Sequence, residues 1–354
     1  MITERVCIDE ENIDERVMTR AGDIIKSGGL VAFPTETVYG LGGDALRADS
    51  SKKIYAAKGR PSDNPLIVHI ADISDLERIA DGIPVSAKKL MKAFWPGPLT
   101  LIFKKKSTVP DETTGGLDTV AVRMPSSKTA LSFIRASGGF IAAPSANRSG
   151  RPSPTTADRV MEDMDGMIEM VIDGGMATIG LESTIVDVTG DTPMILRPGF
   201  ITDEMIKQVL GKVDYDPAVF SGPVPGMRPR APGMKYRHYA PRGELTIVSG
   251  EEKDRTAYIL ERLSEHKEKG IRSGVMVSSD AGSLPEYEKN ADLVIKIGDK
   301  DRDEDIARNL YEALREFDDK DIGKIYCAEL PSKGIGTAIM NRLVKAAGHR
   351  IIKV

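Results

Sequence analysis

Short apolar runs, broken by Gly, Pro and polar clusters, dominate the N-terminal part of the chain. The runs in "GLVAFPT", "PLIVHI", "LTLIF", "TVAVRMP", "FIAAPS", "MVIDGG", "STIVDVT" and "MILRPG" have strand length and predict strands. Between them, "DSSKKIYAAK", "SAKKLMKAF", "KTALSFIRA", "TTADRVMEDM" and "TDEMIKQVL" place apolar residues at helical spacing and predict helices. Hairpins and crossovers are mixed, so the expected architecture is an open, twisted, mixed α/β sheet. Several strands end on Pro, Ser, Thr or Arg, and open α/β folds build their sites at strand ends.

The pattern changes after "SGPVPGMRPRAPGMKYRHYAPRG" (Ser221–Gly243), which holds five prolines, four glycines and five Lys/Arg with no acid. Beyond it, strands at "LTIVS", "SGVMVS", "ADLVIKI", "KIYCAEL" and "RIIKV" alternate with helical stretches such as "EDIARNLYEALREF" and "GTAIMNRLVKAA". That alternation predicts a smaller, Rossmann-like, parallel α/β domain. The expected division is a catalytic domain at 1–208, a Pro/Gly/Arg-rich linker at 209–243 and the second domain at 244–354. A chain of 354 residues exceeds one ordinary core, which agrees. The linker reads either as a stiff spacer or as a cover over an anionic ligand. A plain spacer does not need Arg228, Arg230, Lys235, Arg237, His238 and Arg242, nor Tyr236 and Tyr239.

Composition changes this picture only at the margins. Hydrophobic content of 40% and charged content of 29% are those of a globular protein. The formal net charge of −4 gives no global attraction to nucleic acid, so any anion site must come from local clustering. The two cysteines, Cys7 and Cys327, are far apart and exclude a zinc ribbon or a CxxC pair. The charged N-terminus "MITERVCIDEENIDERV" carries no signal-peptide pattern, and no apolar run approaches the roughly 18 residues of a membrane span. The expectation is a cytoplasmic protein with no membrane association.

Candidate chemistry is concentrated in a few blocks. There is no GxxxxGK[ST], no HExxH and no GxSxG. "YGLGGDA" (Tyr39–Ala45) and "KGIGTA" do not match GxGxxG and read as tight turns. In "KGRPSDNPLIVHI", Pro61 and Pro65 stiffen a loop that carries Lys58, Arg60 and Asn64 and leads into a strand with His69. A guanidinium grips phosphate oxygens in pairs, and a lysine adds a point charge. His69 alternates with Val68 and Ile70 and so faces away from them. Arg123 in "TVAVRMPS" and Arg197 in "MILRPG" stand at strand ends. "APSANRSGRPSPTTA" sets Ser145, Asn147, Ser149 and Ser153 before a helix, where hydroxyls and amides suit phosphate or merely cap the helix. "GLESTIVDV" places Glu182, Ser183 and Thr184 before a strand. Residue chemistry alone thus describes an α/β enzyme with an Arg/Ser-lined pocket for a nucleoside phosphate and a small polar co-substrate.

The ordered blocks "FPTETVYGLG", "KGRPSDNPL", "FWPGPLT", "VRMP", "APSANRSG" and "ESTIVD" resemble the YrdC-like fold of the threonylcarbamoyl-AMP synthase family. "APGMKYRHYAP" and the α/β part after it resemble that family's two-domain form. The resemblance implies a nucleotidyltransferase, an L-threonylcarbamoyladenylate synthase. It would join L-threonine, bicarbonate or CO₂, and ATP, with Mg²⁺ and no protein-held metal. Its product would pass to a tRNA threonylcarbamoyl-transfer complex for modification next to the anticodon. By motif, the L-threonine site would be Thr35, Thr37, His69, Arg123, Ala143 and Ser183. The ATP site would be Lys58, Arg60, Asn64, Thr119, Ser145, Asn147, Ser153, Arg197, Tyr236 and His238, the last two in the linker acting as a lid. Lys58, Arg60 and His69 would carry the catalysis.

Two other readings stand beside this one. YrdC-like domains of hydrogenase maturation factors carry acylphosphatase and zinc-finger regions, for which this chain has no counterpart. A double-stranded-RNA or tRNA-binding module would use local basic clusters such as "FKKKS" (Phe103–Ser107), for which the ordinary reading is a solvated strand exit. Against the net charge of −4, such RNA binding would be weak.

Overall fold

The computed structural model describes residues 2–220, 229–234 and 238–354. They fall into two compact units, Met1–Ser149 with Ser153–Tyr236, and Gly150–Pro152 with Arg237–Val354.

The strands of the first unit are β1 (Glu4–Cys7), β2 (Val31–Phe33), β3 (Gly40–Asp44), β4 (Ile67–His69), β5 (Leu99–Lys104), β6 (Thr119–Arg123), β7 (Ile141–Ala143), β8 (Met170–Asp173), β9 (Thr184–Asp187), β10 (Met194–Arg197) and β11 (Asp214–Tyr215). They form one 11-stranded sheet in the order β1-β8-β2-β3-β7-β4-β6-β5-β9-β10-β11. β4 runs parallel to β6 and β5 parallel to β9, while β4–β7, β5–β6 and β9–β10 are antiparallel. This is the mixed α/β sheet the sequence predicts.

The pleat sorts each strand between two cores. Val68, Leu101, Val122 and Ala142 enter the larger one, with Ile54, Leu90 and Trp95 from the covering helices. Ile67, Ile102, Ala121, Ile185 and Leu196 form a smaller cluster on the other face. Ala231 and Met234, from the described part of the Pro/Gly/Arg-rich segment, pack into that second cluster.

One expectation is overturned. "YGLGGDA" is not a tight turn, because its Gly40–Asp44 is β3, paired antiparallel with β2 and β7. Its glycines serve close packing. A Cβ would lie 3.0 Å from the Phe33 ring at Gly40 and 3.1 Å from the Val31 carbonyl oxygen at Gly42. β1 and the helix Glu15–Lys26 were not foreseen. β1 is "ERVC", a half-charged edge strand, and the helix buries only Met18, Ala21, Gly22 and Ile25 behind a charged face.

The second unit has five strands, β12 (Glu244–Ser249), β13 (Ser273–Val277), β14 (Leu293–Lys296), β15 (Lys324–Ala328) and β16 (Ile351–Lys353). All pair parallel, in the order β14-β13-β15-β12-β16. Helices Glu252–Glu268, Leu284–Asn290, Asp303–Asp319 and Ile335–Ala346 connect them. The expected doubly wound arrangement is therefore present, with one extra short helix. "KGIGTA" is a turn only as far as Gly334, which sits at φ 55° before the last helix.

Candidate active site

Sheet register gathers the polar residues of distant segments. β4 pairs His69 with Arg123 on β6, and β5 pairs Thr100 with the same Arg123. Paired residues share a face, so three polar side chains lie in a row beside Ile67, Ala121 and Ile102. Arg123 is only 4% exposed. Its Nη2 lies 2.6 Å from Glu36 Oε1, its Nη1 donates to Thr37 Oγ1 at 2.8 Å, and its Nε donates to the Gly97 carbonyl at 3.3 Å. Thr35 Oγ1 lies 2.9 Å from Thr37 Oγ1, so the "PTET" turn after β2 closes over the guanidinium.

On the other side of Arg123, Thr100 Oγ1 lies 2.7 Å from Ser183 Oγ. Arg197 donates from Nη2 to Ser183 Oγ at 3.2 Å and from Nε to the Ser183 carbonyl at 3.1 Å. Ser183, expected on one ligand, and Arg197, expected on the other, thus meet. The result is a buried polar seam from Thr35 to Arg197, with Arg123 in its middle and Arg197 at one end, two guanidinium groups suited to a carboxylate and a phosphate. Ala143, also expected here, pairs with Ile67 across β7 and β4 and is buried.

Glu36 and Thr100 were not assigned from the sequence. Thr100 left a signal, a polar residue in the apolar run "LTLIF" that proves fully buried. Glu36 is the one acid of "PTET", and only the fold reveals its partner 87 positions away.

His69 is buried, with Nδ1 3.2 Å from the Ile67 carbonyl and its ring edge-on to Phe33. Burial, and then the charge of Arg123, push its pKa down to about 3, so the imidazole is neutral at pH 7. The unfolded chain would bind that proton near 6.5. Stability from this site is therefore complete above pH 6.5 and is lost as pH falls toward 3, by up to about 1.4 kcal/mol per pH unit. Urea unfolding of the His69→Gln variant between pH 7 and 4 is expected to show a flatter acid limb than the parent chain.

The second cluster is built from loops. Lys58 ends the helix Ala48–Lys58, and Gly59 at φ 61° turns the chain. Its buried ammonium donates to the Ser145 carbonyl at 2.5 Å and to the Asn147 carbonyl, and the Ser149 amide donates back to the Lys58 carbonyl at 2.8 Å. In this state Lys58 secures the "APSANRSG" loop and does not stand open as a point charge. Arg60 lies over its own turn, donating to the carbonyls of Asn64 at 3.3 Å and Pro65 at 3.1 Å. Asn64 is 1% exposed, and its Oδ1 has no hydrogen-bond donor among the described residues. A buried acceptor in that condition calls for a partner, which a ligand or a water can supply.

Ser145 Oγ donates to Asn147 Oδ1 at 2.5 Å, and Ser153 Oγ donates to Glu182 Oε1 at 2.6 Å. Thr119 opens β6 on the same face as Arg123. For the helix Ala157–Met164 the plain reading holds, since the Thr156 side chain caps it. Tyr236 lies outside the described residues, and His238 belongs to the second unit, its ring 5.5 Å from that of Tyr239. The "KKK" run is an ordinary strand exit, with Lys105 on Asp111 at 2.5 Å and Lys106 on the Glu77 carbonyl at 2.6 Å. Among the described residues no helix is long and apolar enough to cross a membrane.

Known proteins are similar to this chain in sequence and in fold. Residues 23–199 match the Sua5_yciO_yrdC family, described as "Telomere recombination", and residues 201–348 match "Threonylcarbamoyl-AMP synthase, C-terminal domain". The threonylcarbamoyl-AMP synthase of Pyrococcus abyssi is 50% identical, over 97% of this chain and 98% of its own length. That of Bacillus subtilis is 46% identical, over 98% and 97%. The crystal structure of P. abyssi Sua5 complexed with L-threonine superposes with a TM-score of 0.91 at 48% identity, covering 100% of both chains. The chain belongs to the threonylcarbamoyl-AMP synthase family.

Proposed function

We propose that this protein is an L-threonylcarbamoyladenylate synthase. It converts L-threonine, bicarbonate or CO₂, and ATP into threonylcarbamoyl-AMP and pyrophosphate, and is thus a nucleotidyltransferase. The observation that carries the reading is the buried Arg123, held between Glu36, Thr37 and the backbone in a row with His69 and Thr100. It supplies a fixed cation for a small amino acid beside a neutral imidazole.

In this reading, Arg123 and the hydroxyls of Thr35, Thr37 and Ser183 hold threonine, with Ala143 at its flank. The amine must be neutral to attack CO₂; its proton passes to solvent, and His69, kept uncharged by burial and by Arg123, adds no further cation beside it. The new N–C bond gives a carbamate. A carbamate oxygen then attacks the α-phosphorus, the bond to the bridging oxygen breaks, and pyrophosphate leaves. Starting from bicarbonate, one water is also released. Arg60, turned from its loop carbonyls, and Arg197 stabilise the phosphate charge. Asn64, Thr119, Ser145, Asn147 and Ser153 position the nucleotide, and Lys58 holds their loop. ATP would bring Mg²⁺ with its phosphates, where the ion would offset their charge.

Ala231 and Met234, packed on the site's face of the sheet, support a linker that shields the labile carbamate from water. The product would serve cytoplasmic tRNA modification next to the anticodon through a transfer complex.

Arg60→Ala is expected to reduce threonine- and bicarbonate-dependent pyrophosphate release by at least about a hundredfold, with folding unchanged by circular dichroism. Near-normal turnover would remove Arg60 from the mechanism. Mass spectrometry of the wild-type reaction should show the threonylcarbamoyl adenylate itself.

A further inference from the structure

In the second unit, β13 and β15 are neighbours whose outgoing connections part. From β13 the chain leaves toward β14 through Leu284–Asn290, and from β15 it leaves the other way, toward β16, through Ile335–Ala346. Right-handed crossovers send these two helices to opposite faces. A crevice then opens outside the carboxyl ends of β13 and β15, where open α/β sheets bind ligands. The protein has a cavity of ≈ 520 Å³ there, within the roughly 300–1,000 Å³ usual for small-molecule sites.

The lining has a definite chemistry. The ends of β13 and β15 give an apolar floor, with the ring of Tyr287, 2% exposed, and Leu330 beside it. Arg255 donates from Nη1 to the Glu329 carbonyl at 3.0 Å, while its buried Nε has no acceptor among the described residues. Asp280, in the loop after β13, accepts from the Lys300 amide at 3.1 Å, which holds its carboxyl below the usual range and hence ionised.

Charge narrows the ligand. The wall carries three carboxylates, Glu252, Asp280 and Glu329, against two cations, Arg255 and Lys300. This balance opposes a polyphosphate more than a single phosphate. A ligand with one phosphate, hydroxyl donors for the carboxylates and a flat apolar ring meets every part of the wall. Gly336 lets the last helix start close against the loop that ends the lining, since a Cβ there would lie 2.2 Å from the Pro331 carbonyl oxygen.

We propose that this crevice binds a nucleoside monophosphate. The phosphate meets Arg255, the ribose hydroxyls meet Asp280, and the base lies against Tyr287 and Leu330. Nothing assigned to the first unit is needed for this binding.

The test is hydrogen–deuterium exchange on the full-length protein titrated with AMP, GMP, CMP, UMP and ATP. With at least one monophosphate, peptides covering 276–284 and 328–334 should exchange several-fold more slowly, and ATP should protect them less than AMP. Arg255→Met should weaken that protection about tenfold, equivalent to about 1.4 kcal/mol. Ser278→Trp, at a loop position, should abolish it by filling the crevice, with both variants melting as the parent does. No protection of these peptides by any monophosphate at millimolar concentration would overturn the proposal. So would stronger protection by ATP, or protection that survives both substitutions.

Discussion

Replacing Arg123 by methionine is expected to eliminate threonine-dependent pyrophosphate release and to lower stability by about 3–5 kcal/mol. The two losses have different origins. Stability falls because Glu36, whose side chain is as buried as that of Arg123, would keep a carboxylate with no cation 2.6 Å away. Activity falls because the amino acid's carboxylate would have no fixed charge to meet. The double variant Glu36→Gln/Arg123→Met separates them. With both charges removed, the unfolding midpoint in urea should recover most of the loss while turnover stays absent. A double variant no more stable than Arg123→Met would show that Glu36 does not depend on Arg123.

The single variant Glu36→Gln bears on the same pair from the other side. Glu36 lies 2.6 Å from Nη2 of Arg123, so in the proposed binding mode a substrate carboxylate shares that guanidinium with it or displaces it.

Lys58→Met has the second-largest expected effect. Its ammonium ties the Ser145 and Asn147 carbonyls to the end of the helix Ala48–Lys58. Without it, two buried acceptors lose their donor, at a cost of about 2–3 kcal/mol after the relief of burying one charge. The loop would loosen, and KM for ATP should rise at least about tenfold while KM for threonine changes little. An equal rise in both would mean that Lys58 supports the whole site and not the nucleotide loop.

Elements that bury an alternating apolar face were legible in the sequence. "LTLIF" and "TVAVR" became β5 and β6 because each must fill two cores, one per face. β3 was hidden because its glycines exist to let Phe33, Ile54 and the Val31 backbone approach, and glycine carries no strand signal of its own. Candidate residues could be picked singly by type, as Arg123, His69 and Ser183 were. What they touch could not. Thr100 reaches Ser183 only because β5 runs beside β9, and Glu36 reaches Arg123 only because the turn after β2 folds back over β6. Those contacts are set by register among strands far apart in the chain. Lys58 shows the same limit, since nothing in its type foretold that it also holds the Ser145 and Asn147 carbonyls.

In the proposed reaction threonine, bicarbonate and ATP are consumed together at the Arg123 site. Its most direct test is pyrophosphate release by the full-length protein, with each of the three left out in turn. Release should need all three and fall to background when any one is missing. Release that persists without threonine or without bicarbonate would contradict the account.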